Sequence, residues 1–251
     1  MKYTIDILGI PMHAEGLTES VNLVIYERPS TQCRLISATG AHGLVYAQKN
    51  KGFKEIVTQF YLNLPDGMPG VWVGRIKGQR NMSRCYGPDF FKTLISLSAQ
   101  TSLKHYLCGG MPKVAEELAE VCKKEFGNSN ISGTHCPPFL DVGSFDYESI
   151  ASQIVNCNAD IVWIGLSTPK QEMFAFNLSK QLSGKYIITV GAAFDFHTNR
   201  VKQAPFWIQK IGMEWFFRLL IEPKRLWRRY FEIVPMFIYY NFKEIFKKAV
   251  N

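Results

Sequence analysis

The 251-residue chain has little that could cross a bilayer. Its longest late apolar run, Ile233 to Phe242, contains Pro235 and reaches about half the length a membrane span needs. No charged-then-apolar leader opens the chain, because "MKYTIDILGIPMH" carries Asp6 inside its apolar run and reads as a first strand. The six cysteines (33, 85, 108, 122, 136 and 157) form no Cys-x-x-Cys pair. That argues against a disulfide framework or zinc site and for reduced, buried thiols in a cytosolic protein. No Gly-x-Gly-x-x-Gly follows a strand, and there is no Gly-x-x-x-x-Gly-Lys-Ser/Thr loop, which weighs against dinucleotide and P-loop chemistry. No Asp-x-Asp or paired His/carboxylate cluster marks a divalent metal. Neither a metal nor another cofactor is therefore expected. The five histidines (13, 42, 105, 135 and 197) are scattered and read as structural.

What is present is an ordinary globular composition, 47% hydrophobic and 20% charged, with a net charge of +8 that is unevenly placed. From Arg200 to Asn251 there are eleven Lys/Arg against four Glu, a net +7, and 13 of the chain's 34 aromatic residues. A nearly neutral body (1–199) thus precedes a basic, aromatic-rich end (200–251). That end suits a membrane surface or a polyanion. Pro223 divides it into two helical stretches, Met213 to Glu222 and Lys224 to Glu232.

Within the body, short apolar runs alternate with helical patterns. Strand-like segments are Arg34 to Ala38, Phe60 to Leu64, Leu103 to Cys108, Ile131 to Gly133, Ile161 to Leu166 and Lys185 to Val190. Ala41 to Asn50, Pro112 to Phe126 and Tyr147 to Cys157 read as helices between them. This predicts an α/β, Rossmann-like, mostly parallel sheet with helices on both faces, followed by a helical C-terminal appendage. Polar residues gather where the strands stop: Asp66 in "LPDGMPG", then Gly109-Gly110, then Lys170 and Gln171 in "IGLSTPKQE", then Asp195 in "GAAFDFH". Thr168, Pro169 and Gln171 also spell a helix start, as N-cap, first residue and capping box. Ligands of α/β sheets gather at the carboxyl ends of the strands, so these residues predict one cleft.

"LPDGMPGVW", Arg84 followed by "YGPDFF", "GTHCPPF", "IGLSTPKQE", "GAAFDFHTNRVKQAP" and "GMEWFFRLLIEPKRLWRRYF" occur in this order. Together they resemble the WecG/TagA/CpsF family of bacterial glycosyltransferases, glycosyltransferase family 26, over roughly residues 36 to 231. The resemblance implies transfer of a sugar from a UDP-sugar to a polyprenyl-diphosphate-linked saccharide. It further implies an inverting, metal-independent reaction at the cytoplasmic membrane face, feeding teichoic acid, common antigen or exopolysaccharide. Asp66 would be the general base for the acceptor hydroxyl. Arg84, Gln171 and Asp195 would lie at the nucleotide-sugar, and Arg218, Arg225 and Arg228 would close over its diphosphate; Lys170, read from its place at the strand end, is a further candidate substrate contact. The expected partners are these two substrates and an anionic membrane, with a homo-oligomer left open and no nucleic acid.

One motif departs from the family. Where its members carry Thr, Asn and Glu after the strand near residue 36, this chain reads "SATGAHG", with Ala38 and Gly40 at the Thr and Asn places. Thr39 or Ser37 is then the candidate donor contact. Two other classes compete on composition alone: a nucleic-acid binder using the basic tail, and a nucleotide-sugar oxidoreductase. The first lacks any nucleic-acid motif and the second lacks the dinucleotide fingerprint.

Overall fold

The computed structural model describes residues 3–250, with side chains through Phe246; Lys247 and Lys248, counted above with the basic tail, lie outside the described side chains. Strands β1 (Thr4–Ile7) and β2 (Ile10–His13) lead to helix α1 (Leu17–Tyr26), β3 (Arg34–Thr39), α2 (Ala41–Lys49) and α3 (Lys51–Thr58). Next come β4 (Leu62–Pro65), α4 (Met68–Ile76), α5 (Gly87–Ser98), β5 (His105–Gly109), α6 (Val114–Lys124), β6 (Ile131–His135) and α7 (Tyr147–Asn156). The chain ends through β7 (Ile161–Gly165), α8 (Lys170–Ser179), β8 (Tyr186–Thr189), α9 (Ala193–His197), α10 (Phe206–Lys210), α11 (Glu214–Ile221) and α12 (Pro223–Val250).

The strands form one eight-stranded sheet in the order β1-β2-β4-β3-β8-β7-β5-β6. Among the described residues only the β1–β2 pair is antiparallel. The first expected strand is thus a hairpin. Its turn, Leu8-Gly9, has φ of 58° and 76°, the left-handed pair that matches strand twist. A Leu at the first turn position conceals that signal in the sequence.

Side-chain alternation explains the two covered faces. On β7, Ile161 and Trp163 join the core under α1, α5, α6 and α9, while Val162 and Ile164 join the core under α7 and α8. Strands β1 to β4 lie on one side of the β3/β8 boundary and β5 to β8 on the other. This boundary is the topological switch, where loops diverge and leave a crevice.

A third core contains Ile7, Ile10 and Met12 of the hairpin region, Phe53 of α3 and Val71 of α4, together with Ile233 and Phe237 of α12. The last helix therefore shares its buried stripe, Leu226, Ile233, Phe237 and Asn241, with the body. Glu244 accepts from the Leu8 amide (3.1 Å) and pairs with Lys77, and Lys49 pairs with Glu232. The opposite stripe of the same helix, Trp227, Phe231, Ile238, Phe242 and Phe246, is exposed.

This packing predicts that Phe237→Ala lowers unfolding stability in urea by about 3 kcal/mol. Phe242→Ala, on the exposed stripe, should change it by less than about 0.5 kcal/mol.

Candidate active site

Asp66 follows β4 directly, one strand from the switch. Its amide donates to the Thr39 carbonyl (3.3 Å), and its Oδ1 accepts from the Gly87 N–H (2.8 Å), the first residue of α5. A helix N-terminus offers such N–H groups to a carboxylate. Close packing fixes glycine there. A Cβ at Gly87 would lie 3.1 Å from the Ala38 Cβ and the Val190 carbonyl and 3.3 Å from Asp66 Oδ1. The start of α5 thus caps the ends of β4, β3 and β8 together.

Burial raises the Asp66 pKa to about 6, more than the Gly87 N–H and the Arg84 and Arg218 charges lower it, with Glu214 adding to the rise. A carboxyl poised there is ionised at neutral pH yet basic enough to accept a proton. Arg84 donates from Nε to the Asp66 carbonyl (2.9 Å), pairs through Nη2 with Glu214 of α11, and lies 3.9 Å over the Tyr86 ring. The Tyr86 hydroxyl donates to the other Glu214 oxygen.

Across the crevice stands Asp195 on α9. Burial raises its pKa against the opposing charges of Arg225, Arg200 and Arg218. Arg225 pairs with Glu222 at 2.6 Å, and Arg218 lies 3.6 Å from the same carboxylate and 5.2 Å over the Phe196 ring. Arg218 Nε is buried with no hydrogen-bond partner. A buried unpaired guanidinium N–H is costly, and it is a group that an anion in the crevice would satisfy.

The structure therefore brings Asp66, Arg84, Asp195, Arg218 and Arg225 together. Gln171 stands beside them, turned inward: it is 1% exposed, its Oε1 accepts from the Gly191 N–H (3.0 Å), and its Nε2 donates to Glu172 (2.9 Å). It holds the loop after β8. The expected capping box does not form, because α8 begins at Lys170 with Pro169 at the N-cap, and the backbone N–H of Gln171 donates to the Ser167 carbonyl. The Thr168 hydroxyl donates to Glu172 Oε1 (2.9 Å) instead.

Four expected contacts fall elsewhere. The Thr39 hydroxyl turns into the sheet toward Asn63 (3.3 Å), and Ser37 donates to Glu172 (3.1 Å), so neither hydroxyl faces the crevice. Both residues have the strand parity that points to the α8 face. Lys170 lies over the Phe139 and Phe145 rings at 4.4 and 5.1 Å. Arg228 is exposed, 5.3 Å from the Trp227 ring. Its neighbour Arg229 points inward, close enough to Arg225 and Arg218 that their charges, with burial, lower its pKa. Spacing offered a clue, since Arg229 is one turn beyond Arg225. Glu214, Tyr86 and Gly87 were also missed, although Glu214 lies one turn before Arg218. Gly109-Gly110 owe their type to packing: Cβ atoms there would lie 2.6 Å from the Gly165 carbonyl oxygen and the Val114 Cβ.

The family model described as "Glycosyl transferase WecG/TagA/CpsF family" matches residues 5–251. A Bacillus subtilis protein named N-acetylglucosaminyldiphosphoundecaprenol N-acetyl-beta-D-mannosaminyltransferase is 30% identical over 187 residues, covering 74% of this chain and 71% of its own length. A Bacillus spizizenii protein of the same name is 28% identical over 187 residues, covering 74% of this chain and 70% of its own. With the match running over nearly its whole length, the chain belongs to the WecG/TagA/CpsF family of glycosyltransferases.

Proposed function

We propose that this protein transfers a sugar from a UDP-sugar to a saccharide carried on a polyprenyl diphosphate, with inversion at the anomeric carbon. The acceptor class follows the names of the two relatives, which act on an N-acetylglucosaminyl-diphosphoundecaprenol. The observation that carries the reading is the buried, unpartnered Arg218 Nε beside Arg225 and Asp195, across from Asp66. A diphosphate would occupy the arginines, which match phosphate geometry and strengthen as water is excluded.

In this mechanism Asp66 accepts the proton of the acceptor hydroxyl as that oxygen attacks the anomeric carbon. UDP leaves from the opposite side, and Arg218, Arg225 and Arg229 take up its developing charge. The Gly87 N–H holds Oδ1 and leaves Oδ2 to accept the proton. Arg218, Arg225 and Arg229 are the counter-charge that the cluster itself offers to the leaving group.

The C-terminal helices also suit a second task. Besides the exposed stripe of α12, Phe206 and Trp207 of α10 are exposed, and no described helix is long and apolar enough to cross a membrane. With Lys224, Arg228 and Lys243 nearby, this surface fits the interface of an anionic membrane, at about 1 kcal/mol for each basic residue close to it. Docking there would bring a lipid-linked acceptor to the arginines. The place of action would be the cytoplasmic face, with the protein peripheral to the membrane.

The test is a screen of UDP-sugars against a short-chain prenyl-diphosphate saccharide, read by mass spectrometry. Asp66→Asn should reduce turnover about 10²- to 10⁴-fold with UDP affinity little changed; near-normal turnover in a folded variant overturns the base assignment. Because the Asp66 pKa lies at about 6, kcat/KM should be flat above that pH and fall about tenfold per unit below it as the base is protonated. Activity should persist in excess EDTA, whereas loss restored by Mg²⁺ would require a metal. Phe231→Ala with Phe242→Ala should weaken binding to anionic liposomes and spare UDP binding. Arg218→Ala with Arg225→Ala should abolish transfer while most liposome binding survives.

A further inference from the structure

We infer that Glu214 is a positioning residue, which from α11 holds Arg84 and Tyr86 and so sets the geometry of Asp66. This rests on the role proposed for Asp66. Glu214 is 9% exposed, and both of its oxygens are taken by one short segment: Arg84 pairs with one and the Tyr86 hydroxyl donates to the other. That segment holds Asp66 twice, through Arg84 Nε on its carbonyl (2.9 Å) and the Gly87 N–H on its Oδ1 (2.8 Å). Residues 84 to 87 are thus fastened to the base on one side and to the C-terminal helices on the other.

A buried ion pair adds little net stability over a well-packed apolar pair, whereas removing one partner is costly. Its value here is geometric. A guanidinium has five N–H donors, and these two bonds leave three of Arg84's for a substrate anion. Glu214 lies in the first turn of α11, where the helix end favours its charge. The groups whose charges or hydrogen bonds reach Asp66 are Arg84, Tyr86, Cys85, Gly87, Glu214 and Arg218. Among them Glu214 brings negative charge from the C-terminal helices.

The experiment compares Glu214→Gln, Glu214→Asp and Tyr86→Phe in the full-length protein. Hydrogen exchange at 83–88 is the first readout, since it needs no turnover. Glu214→Gln should speed exchange there at least tenfold without a comparable change in the core strands, and Tyr86→Phe should do so less. The pH dependence of Asp66, followed by carboxyl NMR, should move to lower pH in Glu214→Gln as a neighbouring negative charge is lost, and stay near wild type in Glu214→Asp. Turnover should fall about 10- to 100-fold in Glu214→Gln, as expected for a misplaced catalytic group, and its loss should not add to that of Arg84→Ala. If Glu214→Gln does not fold, Tyr86→Phe carries the exchange test alone. Unchanged exchange at 83–88 with an unmoved Asp66 titration overturns the inference. Full turnover in Asp66→Asn instead overturns the base assignment, which the exchange result does not depend on.

Discussion

The bond between the Gly87 N–H and the Asp66 carboxylate is the constraint from which the site follows. It requires β4 to end beside the start of α5, and it requires a residue without a side chain where three strand ends meet. The geometry buries the carboxylate, which raises its pKa, and anchors one oxygen so that the other is free. Basicity and orientation thus come from one packing arrangement. The polar groups around it have little freedom of their own, because each is placed by a strand end or by the first turn of a helix.

The arginines show the complementary logic. Arg225 is paired to a carboxylate of its own region, Arg84 is held by Glu214, and Arg218 retains a buried donor with nothing to bond. Carboxylates balance the arginines of the cluster, yet one buried donor, the Arg218 Nε–H, is left without an acceptor. An anion bound there would gain that missing contact.

The alternation of strands and helices was legible in the chain because buried parallel strands are short β-branched runs and their connections are marked by Gly and Pro. Asp66 was legible as a polar residue at a Gly-flanked strand end, and the family motif gave it a role. The hairpin was hidden by Leu8, which occupies a backbone conformation its type rarely adopts. Gln171 was ambiguous in the sequence, because a helix start and a ligand contact are spelled with the same residues. Arg228 and Arg229 could not be told apart, since the bend at Pro223 decides which faces inward. The Arg84–Glu214 pair joins residues 130 apart in sequence, and no local pattern encodes such a contact.

Gly40, at the end of β3, has a different standing from Gly87 although both flank the same carboxylate. A Cβ at residue 40 would meet only Asp66 Oδ2, at an ordinary 3.6 Å, and its φ of −93° is open to any L-amino acid. The floor of the crevice thus combines one position frozen by sterics with one that is free to vary. A side chain at residue 40 would leave the Gly87 anchor on Oδ1 in place and bear on the carboxylate's other oxygen, Oδ2. The two glycines thus divide the control of one carboxylate, one holding an oxygen still and the other keeping its partner uncovered.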